Sequence, residues 1–232
     1  AGKFNLFTLR KFRNSTLRSA TIYIEGDGKA WLNKTTVSPD PTPNRPVALR
    51  LALIDPAANI FYLGRPCQYV SQGNCHPKYW TSQRYSKDVV ASLNKAIDQL
   101  KKSYGLKSFE LIGYSGGGTA AALMAAGRSD VIRLITIAAN LDTDKWTELL
   151  ELSPLSGSLN PVNMRTTLKQ VQQFHFVGTS DKIVPPIVTK SYLRKLDLPF
   201  ADNLIFLEGF SHTCCWHHGW RNRITDLRQM QR

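Results

Sequence analysis

The four residues Phe109 to Ile112 (FELI) run straight into Gly113-Tyr114-Ser115-Gly116-Gly117 and then, through Gly118 alone, into the Ala-rich stretch Thr119 to Ala126. An apolar run this short, bounded by glycines, reads as a buried strand, and the alanines that follow favour helix. A strand that becomes a helix within five residues folds that helix back onto its own sheet, which only glycine-rich backbone permits. The same alternation recurs along the chain. Thr21 to Glu25 and Asn59 to Leu63 read as strands on either side of a short helix from Pro46 to Ile54. Ser86 begins a long helix reaching Tyr104, with Val89, Leu93, Ile97, Leu100 and Tyr104 on one face and Gly105 just beyond its end. Val131 to Ala138, Gln173 to Val177 and Leu204 to Leu207 are further strands, Pro186 to Leu196 is helical, and a closing helix is expected from about Trp216 to Met230. Strands separated by helices predict an α/β fold, with a mostly parallel central sheet and helices on both faces.

Length and composition agree. The 232 residues, 42% of them hydrophobic, suffice for one large domain spanning 1–232, and no repeat or long linker divides them. The polar run from Ser38 to Pro46 reads as a surface loop. No apolar run approaches the roughly 18 to 20 residues that cross a bilayer, so no transmembrane segment is expected.

Charge is the unusual quantity. Thirty Lys and Arg against seventeen Asp and Glu give +13, a balance that attracts polyanions such as an anionic membrane or a cell-envelope polymer. The excess gathers at the ends, in Lys3, Arg10, Lys11, Arg13 and Arg18, and in Arg221, Arg223, Arg228 and Arg232. A solvated face is the expectation for these ends. The aromatics are not interleaved with them, which argues against a nucleic-acid partner.

Ser115 sits where a strand turns sharply into a helix, so its hydroxyl stands above the sheet edge with a helix N-terminus beneath it. A serine at its free pKa is a weak nucleophile and needs a base, which needs an orienting acid. In an open parallel sheet such groups gather beyond the carboxyl ends of strands. Asp181, after Phe174 to Gly178, and His212, after Leu204 to Leu207, are the candidates. Asp142 and Asp144 also follow a strand and are the alternative acids, whereas Asp202 precedes its strand. His175 lies inside a strand and reads as a core residue, His76 neighbours Cys75, and His217 and His218 are expected on the closing helix. The run Cys214 to His218 (CCWHH) lacks metal-ligand spacing, so no metal is expected.

With GYSGG at 113–117, GTSDKIVP at 178–185 and GFSH at 209–212, in the order Ser, Asp, His, the chain resembles the α/β-hydrolase superfamily of serine hydrolases. It is also similar to a bacterial, exported branch with Gly26-Asp27-Gly28 after the early strand and Arg65-Pro66-Cys67-Gln68-Tyr69 after the next. The resemblance implies the α/β-hydrolase fold, a small-molecule acyl substrate and no cofactor. Ser115, His212 and Asp181 would be the triad, and the backbone N–H groups of Gly116 and Asp27 the oxyanion hole. Glu25 stands where the superfamily often has His. The Asp27 carboxylate would oppose an oxyanion unless it points away or is neutralised by Arg65. The segment 140–163 occupies the position of a lid and is short, which favours small or moderate acyl groups. Esterase, thioesterase and peptidase share such a triad. A non-catalytic binding protein that holds an anionic partner on its basic surface is the reading from another class.

The four cysteines form two close pairs. Cys67 and Cys75 enclose a loop rich in polar residues and are expected to bridge. Cys214 and Cys215 are either buried thiols or a strained bridge between neighbours. Paired cysteines, together with a chain beginning at Ala1, point to a processed protein in the periplasm or outside the cell.

Overall fold

A computed structural model describes residues 2–229. Met230, the expected end of the closing helix, and Arg232, one of the basic residues of the last stretch, lie outside the described residues, as does Ala1. The strands are β1 (Thr8–Phe12), β2 (Ser19–Ile24), β3 (Asn59–Leu63), β4 (Ser108–Tyr114), β5 (Val131–Ile137), β6 (Gln173–Gly178) and β7 (Leu204–Leu207). The helices are α1 (Val47–Ile54), α2 (Lys87–Tyr104), α3 (Gly116–Ala126), α4 (Thr143–Leu149), α5 (Arg165–Leu168), α6 (Pro186–Lys195), α7 (Phe200–Asn203) and α8 (Trp220–Gln229). Sheet order is β1-β3-β2-β4-β5-β6-β7, parallel throughout except for β1, which pairs antiparallel with β3.

The strand alternation sorts the core into two layers. Ile22, Ile24, Leu111 and Val177 face the layer containing Val89, Leu93 and Ile97 of α2, the alanines of α3, and Tyr192 and Leu193 of α6. Tyr23, Ile112, Ile135, Phe174 and Phe176 face Ala48 and Leu51 of α1 and Trp220, Ile224 and Leu227 of α8. Both faces are therefore covered, as parallel sheets require. Chain direction across the sheet reverses at β2. The chain steps outward to β3, then returns past β2 to β4, so the crevice beyond the carboxyl ends of β2 and β4 is the topological switch point where ligands of open α/β sheets collect.

Three expectations need correction. The basic N-terminal stretch is not only a solvated face, because Thr8–Phe12 forms the edge strand β1. Its apolar residues do not alternate, so pairing with β3 overrides a weak local pattern. The closing helix begins at Trp220 rather than Trp216, and His217 and His218 lie in the turn before it, where Gly219 takes a φ of 66°. Arg228 is not a surface charge either. It reaches under the sheet to Asp55 (2.8 and 2.9 Å) and to Glu110, which Arg133 also holds at 2.8 Å.

His175 is in the core, fully buried on β6, with Nδ1 2.8 Å from the Thr136 hydroxyl. Burial lowers its pKa to about 3, so it stays neutral in the folded chain at all ordinary pH. The unfolded chain binds this proton near pH 6.5, so the native state keeps its full stability above that value and loses it as pH falls from 6.5 towards 3. At pH 5 the loss is about 2 kcal/mol from this one group. Urea unfolding at pH 7.5 and pH 5.0 should therefore show a larger acid loss for the native sequence than for His175→Gln. Equal losses would mean that His175 contributes nothing to the pH dependence.

Candidate active site

The elements around the switch point each deliver one part of the site. Ser115 joins β4 to α3 with φ 51° and ψ −127°, a conformation a non-glycine residue holds at a cost of roughly 1–3 kcal/mol. The flanking glycines make the turn possible. A Cβ on Gly113 would strike the backbone of Gly117 and Gly118, and one on Gly117 would strike the carbonyl oxygens of Ile24 and Glu25.

Nε2 of His212 lies 3.0 Å from the Ser115 hydroxyl, and Nδ1 lies 2.8 Å from Oδ2 of Asp181. The other Asp181 oxygen accepts the backbone N–H groups of Ile183 (2.9 Å) and Val184 (2.8 Å). An ionised carboxylate can only accept, so Nδ1 carries the ring proton and Nε2 presents its lone pair to Ser115. The structure thus brings together the three residues singled out in the sequence. It places the alternative acids elsewhere. Asp142 is fully buried, bonded to Ser191 (2.6 Å) and Lys195 (2.8 Å) and to the N–H of Lys145, while Asp144 sits in the first turn of α4.

Two aromatic residues that the sequence did not single out hold His212. Its carbonyl accepts the Tyr114 hydroxyl (2.8 Å) and the Trp216 indole N–H (2.8 Å), and the Tyr114 ring lies 5.4 Å from the imidazole. Tyr114 is the variable residue between the first glycine and the serine, so its identity alone carries no signal. Trp216 acts from the turn before α8. Trp146 of α4 donates to the carbonyl of Ile183 (2.7 Å), tying the lid segment to the Asp181 loop. In that segment Leu155 and Leu159 pack against the core, while Leu149 and Leu152 are exposed.

Asp27 and Gly116 adjoin each other across the switch point, so closely that a Cβ on Gly116 would land on the Asp27 carboxylate. That carboxylate is neutralised by Arg65 (3.2 Å), as expected, and also by Arg84 (2.9 Å), with the Tyr85 hydroxyl at 3.0 Å. Burial pushes its pKa up, but the charges of Arg84 and then Arg65 outweigh burial and hold it below the usual carboxylate range. Arg65 also donates to the carbonyl of Gly116 (3.0 Å), so one guanidinium grips both sides of the crevice. Two buried guanidiniums against one carboxylate leave a net positive charge behind the turn. Glu25 points away from the crevice. It accepts the N–H groups of Ala48 (3.4 Å) and Leu49 (3.3 Å) at the start of α1, a helix whose N-cap residue, Pro46, has no side chain to do so. Burial raises the Glu25 pKa against these bonds.

Cys67 and Cys75 are bridged, with Cα atoms 5.6 Å apart. Their loop carries Gln68, whose amide donates to the carbonyl of Gly26 (2.9 Å), so the bridge restrains the support of the Asp27 turn. On the loop-entropy account such a bridge is worth roughly 2 to 3 kcal/mol. Cys214 and Cys215 are bridged to each other, two residues past His212. Among the described residues there is no His, Cys, Asp and Glu cluster that could hold a metal, and no helix long and apolar enough to cross a membrane.

Residues 81–148, which include Ser115 but neither Asp181 nor His212, match the profile of a family described as alpha/beta hydrolase of unknown function (DUF915). No curated protein matches the chain by sequence. Solved structures do match in shape. A lipase-esterase related protein from Clostridium acetobutylicum superposes with a TM-score of 0.67 at 11% identity, over 97% of this chain and 98% of that one. Est1E from Butyrivibrio proteoclasticus, solved with ferulic acid bound, gives 0.63 at 14% identity over 98% and 96%. An alpha-beta serine hydrolase homologue from Coxiella burnetii gives 0.59 at 16% over 97% and 88%. Identities this low speak to the fold alone. That fold has Ser115 at its strand-to-helix turn, inside the stretch the family profile matches. The chain therefore has the α/β-hydrolase fold, and its residues 81–148 are similar to an α/β-hydrolase family.

Proposed function

We propose that this chain is a serine hydrolase that cleaves a carboxylic ester, or a related acyl bond, through an acyl-enzyme intermediate. The observation that carries the reading is the unbroken chain of contacts from the Ser115 hydroxyl to His212 (3.0 Å) and from His212 to Asp181 (2.8 Å). His212 would take the serine proton as Oγ attacks the carbonyl, while Asp181 fixes the ring tautomer and stabilises the imidazolium. The N–H groups of Gly116, at the N-terminus of α3, and of Asp27 would hold the tetrahedral oxyanion, and the net positive charge of the Arg65–Asp27–Arg84 cluster favours it. His212 would then return the proton to the leaving group and activate water for deacylation.

The lid segment is short and spends Leu155 and Leu159 on the core, which suits a small or moderate acyl group. The aromatic acid bound by Est1E is of that size. Two disulfide bridges fit an oxidising compartment, the periplasm or the cell exterior.

A fluorophosphonate probe tests the reading, because only an activated serine reacts with it. Labelling should fall on the peptide containing Ser115 and disappear in His212→Ala. A folded protein that takes up no label would replace this reading with that of a non-catalytic binding protein.

A further inference from the structure

The amino ends of β2, β3 and β4, opposite the crevice, are ringed by cations. Arg13 follows β1 and its N–H donates to Ala58 (3.1 Å). The side chain of Asn59 holds the 13–19 segment by donating to the carbonyls of Asn14 (2.8 Å), Leu17 and Ser19. The carbonyl of Arg18 accepts the N–H of Lys107, and the Arg18 guanidinium donates to Gly105 (3.0 Å), so Lys107 belongs to the same end. Arg13, Arg18 and Lys107 are exposed. Lys11 is half-buried beside them. Its ammonium donates to the carbonyl of Asp55 (2.6 Å), which precedes β3, so Lys11 stands at the same end, and after burial the charges of Arg13 and other arginines lower its pKa.

Nearby acids do not balance this cluster. Asp55 and Glu110 are held by Arg228 and Arg133, and Asp130 by Lys101 (2.6 Å) and Arg128 (2.8 Å). Asp226 is the exposed acid on α8. Two apolar side chains are exposed at this end. Leu17 is 40% exposed in the 13–18 segment, and Leu53 is 71% exposed at the end of α1, just before Asp55. The neighbouring rings, Phe12 and Tyr104, are packed on each other and on Phe61 and are not free to stack on bases.

We propose that this end of the sheet, with Arg13, Arg18 and Lys107 beside the exposed Leu17 and Leu53, is a docking surface for an anionic lipid bilayer. Basic side chains draw the protein to the charged headgroups, and isolated exposed leucines enter the interface behind them. A soluble polyanion would use the charges but would gain nothing from the leucines. Ser115 lies at the far end of the seven-residue strand β4, about 20 Å away, so a docked molecule holds its crevice towards solvent.

The surface is tested by co-sedimentation of the full chain with vesicles of phosphatidylcholine alone and of phosphatidylcholine with 30% phosphatidylglycerol. Binding should occur only to the anionic vesicles and should weaken steeply between 50 and 300 mM salt. Lys107→Glu with Arg13→Glu should lower the partition coefficient by about tenfold or more. Lys34→Glu with Lys95→Glu, which removes the same net charge elsewhere, should cost much less. Leu17→Ser should reduce the binding that survives at high salt. Equal loss in both charge-reversed pairs would overturn the placement. Retention on heparin without retention on anionic vesicles would overturn the lipid partner in favour of a polymer. No catalytic step enters these measurements, so their outcome is separate from that of the probe labelling.

Discussion

Ser115→Ala should lose about 10⁶-fold in kcat on short p-nitrophenyl esters, as removal of the nucleophile does in other triads, with circular dichroism unchanged. Deleting the hydroxyl takes away the attacking atom and relieves no buried group. Asp181→Asn should cost about 10⁴-fold, because an amide facing Nδ1 favours the wrong imidazole tautomer and cannot stabilise its cation. The oxygens of Asp142 are committed to Ser191, Lys195 and Lys145, so Asp142→Asn should act on stability rather than on turnover. Initial rates on purified, folded variants decide the matter. If Asp142→Asn or Asp144→Asn is the variant that loses turnover while Asp181→Asn keeps it, Asp181 is not the orienting acid.

Arg228→Met should lower stability by about 3–5 kcal/mol, the range for removing one partner from a buried ion pair. Arg228 is the cation that reaches Asp55, whose side chain is fully buried, and it shares Glu110 with Arg133. Burial alone would lower the arginine's pKa, but its bonds to Asp55 and Glu110 raise it well above the ordinary value. Without the guanidinium, Asp55 would keep the Tyr23 hydroxyl (2.6 Å) and the N–H of Ala57 (2.8 Å), but its buried carboxylate would lose the ion pair with Arg228. For a chain of this size the melting temperature should fall by about 6 to 20 °C in scanning calorimetry. Arg228→Met combined with Asp55→Leu should recover part of the loss, since a pair replaced as a whole leaves no orphaned charge. A single variant within about 0.5 kcal/mol of the native sequence would show that the latch between α8 and the sheet is not a stabilising one.

Ser115, Asp181 and His212 were legible because each follows a strand whose apolar run is plain in the sequence, and a parallel sheet aligns such ends. The helix α2 was legible from its repeating apolar face and from Gly105 in the left-handed conformation at its end. Ser86 does occupy the N-cap position, yet its hydroxyl makes no capping bond there. The supports of the site were not legible. Tyr114 and Trp216 act on the carbonyl of His212 from positions 98 residues before it and 4 after it. Arg84 reaches Asp27 across 57 residues. Local patterns carry no information about such pairs.

Local chemistry determined the strand and helix alternation, the sharp turn at Ser115 and the close Cys67–Cys75 pairing, because each depends on neighbours along the chain and on steric rules that act over a few residues. Tertiary structure decided which acid meets His212, where β1 adds to the sheet, and that Arg228 is a half-buried latch while Arg13 and Arg18 stay exposed. Those outcomes depend on which distant segments the fold places side by side. A charge is read identically in the sequence whether it ends in water or against a carboxylate, and only packing sets its surroundings.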